Sequence, residues 1–271
     1  MHSVTSRDGT KIAYTREGSG PSVVLVGGAL DDGSENATLI PALAERFTVL
    51  NYARRGRDGS GDRQPHSLAR EIEDLTAVIS STGESAHLFG ASSGGALALE
   101  AAASGVSALS IAVYDVPYSV TPEAVGAWQT YAAQLRDALA EDDRNRAIEL
   151  FMGVAGLPQE AIAEAKSSPH WAPLLPIAHT LAYDATCLND GSPPRTRLSS
   201  ISQPVLLITR AEQAAAAMSD IAFFTAAADA VAQVIENAER ITVPAPSHVV
   251  DPETLAPVLT NFFGSPRSGR G

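Results

Sequence analysis

Short apolar runs that alternate with longer stretches of helical period constrain this chain more than any other feature. The run VVLV, from Val23 to Val26, stops at Gly27-Gly28. TVLNYA, AHLFG, ALSIAVYDVP, VLLIT and ERITVPAP repeat the pattern further along. Apolar runs without polar alternation suit strands covered on both faces. Between them lie ATLIPALAERF, SLAREIEDLTAVISSTG, GALALEAAAS, DIAFFTAAADAVAQVI and PETLAPVLTNFF, each read as a helix. Strand–helix alternation predicts a mostly parallel sheet with helices on both faces. The N-terminal SVTSRDGTKIAYTREG reads as two strands joined at Asp8-Gly9, a strong hairpin signal.

The rhythm breaks after Pro117. From about Thr121 to Leu188 only helical patterns appear: PEAVGAWQTYAAQLRDALAE, RNRAIELFMGVAG, PQEAIAEAK and PLLPIAHTLAYDATCL. The turn-rich GSPPRTRLSSISQP then leads back to the strand pattern. The expected organisation is an α/β body over 1–118 and 190–264, an all-helical block over 119–189, and a disordered tail over 265–271. A chain of 271 residues can bury such a core without covalent staples.

The charge balance narrows the partners. With 31 acidic and 19 basic side chains the formal net charge is −12. That argues against nucleic acid and against an anionic membrane surface; the expected partner is a small-molecule substrate. The expected assembly is a monomer or a homodimer. Basic charge is carried almost wholly by Arg, with Lys only at 11 and 166, which fits a GC-rich genome. The single cysteine, Cys187, rules out an internal disulfide and reads as a small buried residue. No signal peptide is visible, and no apolar run reaches the roughly 18 residues of a membrane span, so a cytoplasmic location is expected. No metal-ligand cluster, dinucleotide fingerprint or phosphate loop appears, so neither metal nor cofactor is expected.

Chemistry concentrates in HLFGASSGGALALEA, from His87 to Ala101. Gly90-Ala91-Ser92-Ser93-Gly94 matches G-x-S-x-G between a predicted strand and a predicted helix, the context a nucleophile elbow requires. Glycines at both ends let strand and helix approach closely, and the helix start offers free N–H groups to an oxyanion. The plain alternative is a turn with a helix cap. A serine hydroxyl needs a base. Of six histidines, His248 follows the last predicted strand in VPAPSHVVDPETL, where the order Ser, acid, His places it. His87 lies within the strand before Ser92 and reads as structural. His170 and His179 fall in the helical block.

The residues VVLVGG, YARRGRDGSGD, GASSG and SHVVDPETLAPVLTNFF together resemble the α/β-hydrolase superfamily, in particular a capped serine hydrolase of actinobacterial type. The likeness runs over nearly all of residues 1–263. It implies an eight-stranded, mostly parallel, doubly wound sheet, with a helical cap inserted after the sixth strand. It also implies an oxyanion hole from the backbone of Ala29 and Ser93. The chain departs from its relatives in having Gly27-Gly28 where many carry His-Gly. It has Ala53 where Asp is frequent, and Asp58-Gly59-Ser60 in place of Gly-Asp-Ser. The triad acid usually follows the seventh strand, where LLITRAEQ offers only Glu212, off register. Asp115, after the sixth strand in IAVYDVP, is the favoured acid; Glu212, or no acid, is the alternative.

The expected function is a serine hydrolase acting on an ester, lactone or thioester of a medium-sized hydrophobic molecule. Trp128, Tyr131, Phe151, Trp171 and Tyr183 of the cap are the pocket candidates. Two other classes stay open: a lyase or cyclase using His248 or Asp115 for proton transfer, and a binding protein with an unused triad.

Overall fold

The computed structural model describes residues 1–211, 218–245 and 248–265. The chain opens with strands β1 (His2–Thr5), β2 (Lys11–Glu17) and β3 (Ser22–Val26), then the short helices α1 (Ser34–Ala37) and α2 (Ile40–Leu43). Strand β4 (Thr48–Tyr52) leads to α3 (Leu68–Ser80), β5 (Ala86–Ala91) to α4 (Ser93–Ala103), and β6 (Ala108–Tyr114) to a helical insert. The insert comprises α5 (Pro122–Ala140), α6 (Arg144–Val154), α7 (Gln159–Ser167), a 3₁₀ segment (Ala172–Thr180) and α8 (Leu181–Leu188). Then follow α9 (Arg195–Leu198), β7 (Val205–Arg210), α10 (Met218–Ala232), β8 (Ala238–Val243) and α11 (Pro252–Gly264).

The strands form one eight-stranded sheet in the order β1-β2-β4-β3-β5-β6-β7-β8. The first two pairings are antiparallel and all from β4 to β8 are parallel. The sheet is covered on both faces, which is why its strands are apolar throughout. Val24, Val26, Leu88, Ile111, Val113, Val205 and Leu207 face a core completed by α3, α4 and α10. Their neighbours Val23, Leu25, Phe89, Ala112, Leu206 and Ile208 face the opposite core under α2 and α11. The alternation is the two-residue period of a strand, here with apolar side chains on both sides.

Helix α4 is buried on nearly every side, between the sheet and the insert. Its GGALALEAAA composition permits this, because alanine and glycine leave little bulk to place. Helix α5 starts as its sequence predicts: Thr121 accepts a bond from Ala124 N at 3.2 Å, and Pro122 follows in the first turn.

Two helix expectations need correction. ATLIPALAERF does not form one helix; the chain makes α1 and α2 with a break around Thr38-Leu39. Pro41 has no N–H to continue the ladder and starts a new turn instead. PLLPIAHTLAYDATCL is helical only in its second half, since Pro173 and Pro176 keep its first part in 3₁₀ form. The linker before β7 also holds one helical turn, α9.

Candidate active site

Strand β5 ends at Ala91 and α4 starts at Ser93, so the turn between them is the single residue Ser92. Its backbone sits at φ 53°, ψ −128°, a region a non-glycine residue occupies only under constraint. The constraint is visible on both sides. Ser92 N donates to Tyr114 O at 2.9 Å, pinning the turn to the end of β6. A Cβ on Gly94 would lie 2.3 Å from Val26 O, and one on Gly90 would lie 2.5 Å from Gly94 O. The G-x-S-x-G glycines therefore mark backbone packed against backbone. Ser92 itself remains half-buried.

Asp115 is the first residue after β6. It has φ 48° and is 1% exposed. Its Oδ2 accepts from His248 Nδ1 at 3.1 Å and from Arg210 Nε at 2.7 Å. Arg210 ends β7, and its guanidinium lies 5.5 Å over the Phe224 ring. The His248 imidazole stacks on Phe224 at 4.8 Å and lies near-parallel to Tyr114 at 6.1 Å. Two flat aromatic neighbours and one carboxylate thus define the plane of the imidazole. Glu212 lies outside the described residues. Among the described residues no hydrogen bond joins Ser92 Oγ to His248, whose Nδ1 bonds Asp115.

Ala29 stands in the turn after β3 and Ser93 at the start of α4. Behind them lies a buried charge network that sequence reasoning did not anticipate. Arg54, Arg55 and Arg57, all from YARRGRDG, are 2% exposed or less. Arg54 grips Glu71 through Nε and Nη2 at 3.0 and 2.6 Å, and Arg55 grips Asp74 in the same way at 2.7 and 2.7 Å. Arg54 and Arg57 converge on Asp184 of α8 at 2.5 and 2.7 Å. Burial raises the cost of the Glu71 charge, yet Arg54 and a bond from His66 hold its carboxyl well below the usual range. Burial pushes the Arg57 guanidinium down despite Asp184. Burial also raises the Asp31 carboxyl, which accepts from Gly33 N and Glu35 N. The sequence signal was present: three arginines directly after a buried strand, with Glu71 and Asp74 one helical turn apart on the next helix.

The pocket candidates separate into two groups. Tyr131 and Phe151 pack with Trp128 in one cluster that also takes in Ala29 and Leu30 of the β3 turn. Trp171 is spent on internal packing, with its indole N–H on Asn145 Oδ1 at 2.8 Å. Tyr183 is likewise committed: its hydroxyl donates to Asp62 at 2.7 Å, and its ring stacks on His66 at 3.8 Å. His87 is buried and bonded to Ser110 Oγ at 2.8 Å. Burial pushes the Cys187 thiol up, which does not favour a thiolate. Clefts of about 480 and 730 Å³ lie at Tyr14–Asn51 and beside α2–α11, and neither includes Ser92 or His248. Among the described residues no group of three His, Cys, Asp or Glu could hold a metal ion, and no helix is long and apolar enough to cross a membrane.

Strand order and the turn at Ser92 define a class: enzymes on an open α/β sheet with their chemistry at the carboxyl ends of the strands. Comparison with known proteins makes the class specific. The alpha/beta hydrolase family is matched over residues 23–258, and the chain belongs to it. An alpha/beta hydrolase from Sphaerobacter thermophilus DSM 20745 is 41% identical, with a TM-score of 0.86 over 97% of this chain and 100% of that one. The enol-lactonase from Burkholderia xenovorans LB400 is 20% identical, with a TM-score of 0.64 over 97% and 98% of the two chains; that likeness is one of fold. A Mycobacterium tuberculosis protein named probable oxidoreductase EphD is 39% identical over 92 residues, 31% of this chain. The match spans only 16% of that relative's length.

Proposed function

We propose that the chain is a serine hydrolase in which Ser92 attacks the carbonyl carbon of an ester, lactone or thioester. His248 takes the serine proton and passes it to the leaving alcohol or thiol as the acyl-enzyme forms. Water then enters, His248 takes one of its protons, and the acid is released with Ser92 restored. Asp115 keeps the proton on His248 Nδ1 and stabilises the imidazolium. The backbone N–H groups of Ala29 and Ser93 receive the oxyanion. The observation that carries this reading is the His248 Nδ1–Asp115 Oδ2 bond, made at the same end of the sheet as the strained Ser92.

The helical insert, over 119–189, acts as a cap. Trp128, Tyr131 and Phe151 are its contribution to substrate contact, because their cluster reaches the Ala29 turn. An apolar lining of this kind suits a medium-sized hydrophobic acyl or alkyl group. The working compartment is the cytoplasm, and the protein acts as a monomer or a homodimer.

Incubation with a fluorophosphonate tests the mechanism. Labelling at Ser92, absent in Ser92→Ala, is the expected result; a folded wild-type protein that takes no label would remove the serine hydrolase reading. The second reading, a lyase or cyclase, would move protons with the same His248–Asp115 pair and without Ser92 as nucleophile. Product formed in ¹⁸O-labelled water separates the two, since only hydrolysis places the label in the released acid.

A further inference from the structure

The oxyanion donors are backbone N–H groups, so whatever fixes their peptide planes fixes their aim. Gly28 C=O and Ala29 N–H share one planar trans peptide and point in opposite directions. Arg57 Nη1 donates to Gly28 O and also to Asp31 O at 3.1 Å. Arg54 Nη1 donates to Gly27 O at 3.2 Å. The carbonyls of the β3 turn are thereby drawn toward the arginines, and Ala29 N–H is turned away from them. At the elbow, Ser92 O accepts from Gly95 N and Ala96 N at 2.9 and 3.3 Å, which turns Ser93 N–H toward the open end of α4. The Ser93 side chain faces the other way and donates to Asp184 Oδ1 at 2.8 Å.

Both halves therefore lead to one carboxylate. Asp184 accepts from Ser93 Oγ, from Arg54 Nη1 at 2.5 Å and from Arg57 Nη2 at 2.7 Å. It stands on α8 of the insert, whereas Ser93 and the β3 turn belong to the sheet body. Thr180, just before α8, accepts from Arg57 Nε at 3.1 Å and braces the same guanidinium. We propose that Asp184 is a positioning residue through which the cap sets the oxyanion hole: it holds Ser93 directly and the Ala29 peptide through Arg57. This inference rests on the serine hydrolase reading. Its consequence is that the oxyanion donors are aligned only while α8 is seated on the body.

The test is the kinetics of fluorophosphonate labelling at Ser92, resolved into the saturation constant KI and the limiting rate kinact, with the final labelled fraction recorded. Attack on phosphorus develops negative charge on the phosphoryl oxygen, so kinact reports the donors. Asp184→Asn is expected to lower kinact by about 10²-fold, the scale of losing one oxyanion donor, with KI within about twofold. Ser93→Ala keeps the backbone N–H and every ion pair, and is expected to lower kinact by about tenfold, a fraction of that loss. A merely structural role would lower the labelled fraction and leave kinact of the remaining protein unchanged. Wild-type rates in both variants, with full labelling, would overturn the proposal while leaving Ser92 as the nucleophile. Should Asp184→Asn not fold, Ser93→Ala decides alone, because it removes one hydroxyl and no charge. Wild-type protein that fails to label would overturn both readings together.

Discussion

Replacing Asp115 by Asn perturbs catalysis and stability together, because His248 and Arg210 both donate to the same oxygen. His248 Nδ1 and Arg210 Nε lie 3.1 and 2.7 Å from Asp115 Oδ2. An amide there carries no charge to stabilise the imidazolium. If it turns its NH₂ to His248, it favours the tautomer with the proton on the wrong nitrogen. The loss expected for that change is about 10³–10⁴ in rate, or about 4–5.5 kcal/mol of transition-state stabilisation. The same substitution breaks a buried Asp–Arg pair, at a cost of about 3–5 kcal/mol in folding stability. The two effects come apart in Arg210→Met/Asp115→Asn, which removes both charges. The double variant should regain part of the lost stability, read as the urea midpoint, and none of the lost rate, read as kinact for Ser92 labelling. A double variant that recovered the rate along with the stability would refute Asp115 as the orienting acid, as would Asp115→Asn labelling within tenfold of wild type.

Three further outcomes follow from the buried network and the elbow. Glu71→Gln leaves Arg54 without its bidentate carboxylate and should cost about 3–5 kcal/mol, a fall of about 5–20 °C in Tm by thermal scan. The same pair sets an acid limit. The Glu71 carboxyl is held well below its unfolded value by Arg54, and Asp8 is drawn down to about 2 by bonds from Thr10 and Arg55 that outweigh its burial. Depressed carboxylates stabilise the fold fully above their unfolded pKa, about 4. They lose that contribution as pH falls through the folded value. Wild-type protein should therefore unfold between about pH 4 and 2 by circular dichroism, with a visibly shallower dependence in Glu71→Gln. Gly94→Ala puts a methyl 2.3 Å from Val26 O, backbone against backbone, and should yield no folded protein where Ala91→Gly does.

Much of this architecture is legible in the sequence because strands and helices carry local signatures. VVLV, AHLFG and VLLIT are short and apolar throughout, and they lie where β3, β5 and β7 lie. The elbow is legible for a similar reason. The clash that forbids side chains at Gly90 and Gly94 is contained within a short strand–turn–helix unit and the adjoining end of β3. The helical rhythm of 121–188 marks the insert. It does not reveal that Pro41, Pro173 and Pro176 break the helices they sit in, because periodicity counts apolar positions and not missing N–H groups.

The choice of partners across long separations is another matter. Asp115 meets His248 and Arg210 only because β6 and β7 are neighbours and the chain returns to their carboxyl ends after β8. Nothing local in IAVYDVP indicates this. Likewise RRGR reads as a polar loop by composition, since arginine is ordinarily a surface residue. Its side chains are buried because Glu71, Asp74 and Asp184 arrive from two helices far apart in sequence to neutralise them. Sequence alone determined the class of fold, the position of the elbow and the approximate extent of the strands, since those depend on the local period and on steric exclusion at single residues. Tertiary structure decided which carboxylate serves which cation, because charge pairing inside a protein is set by what the packed elements bring within about 3 Å.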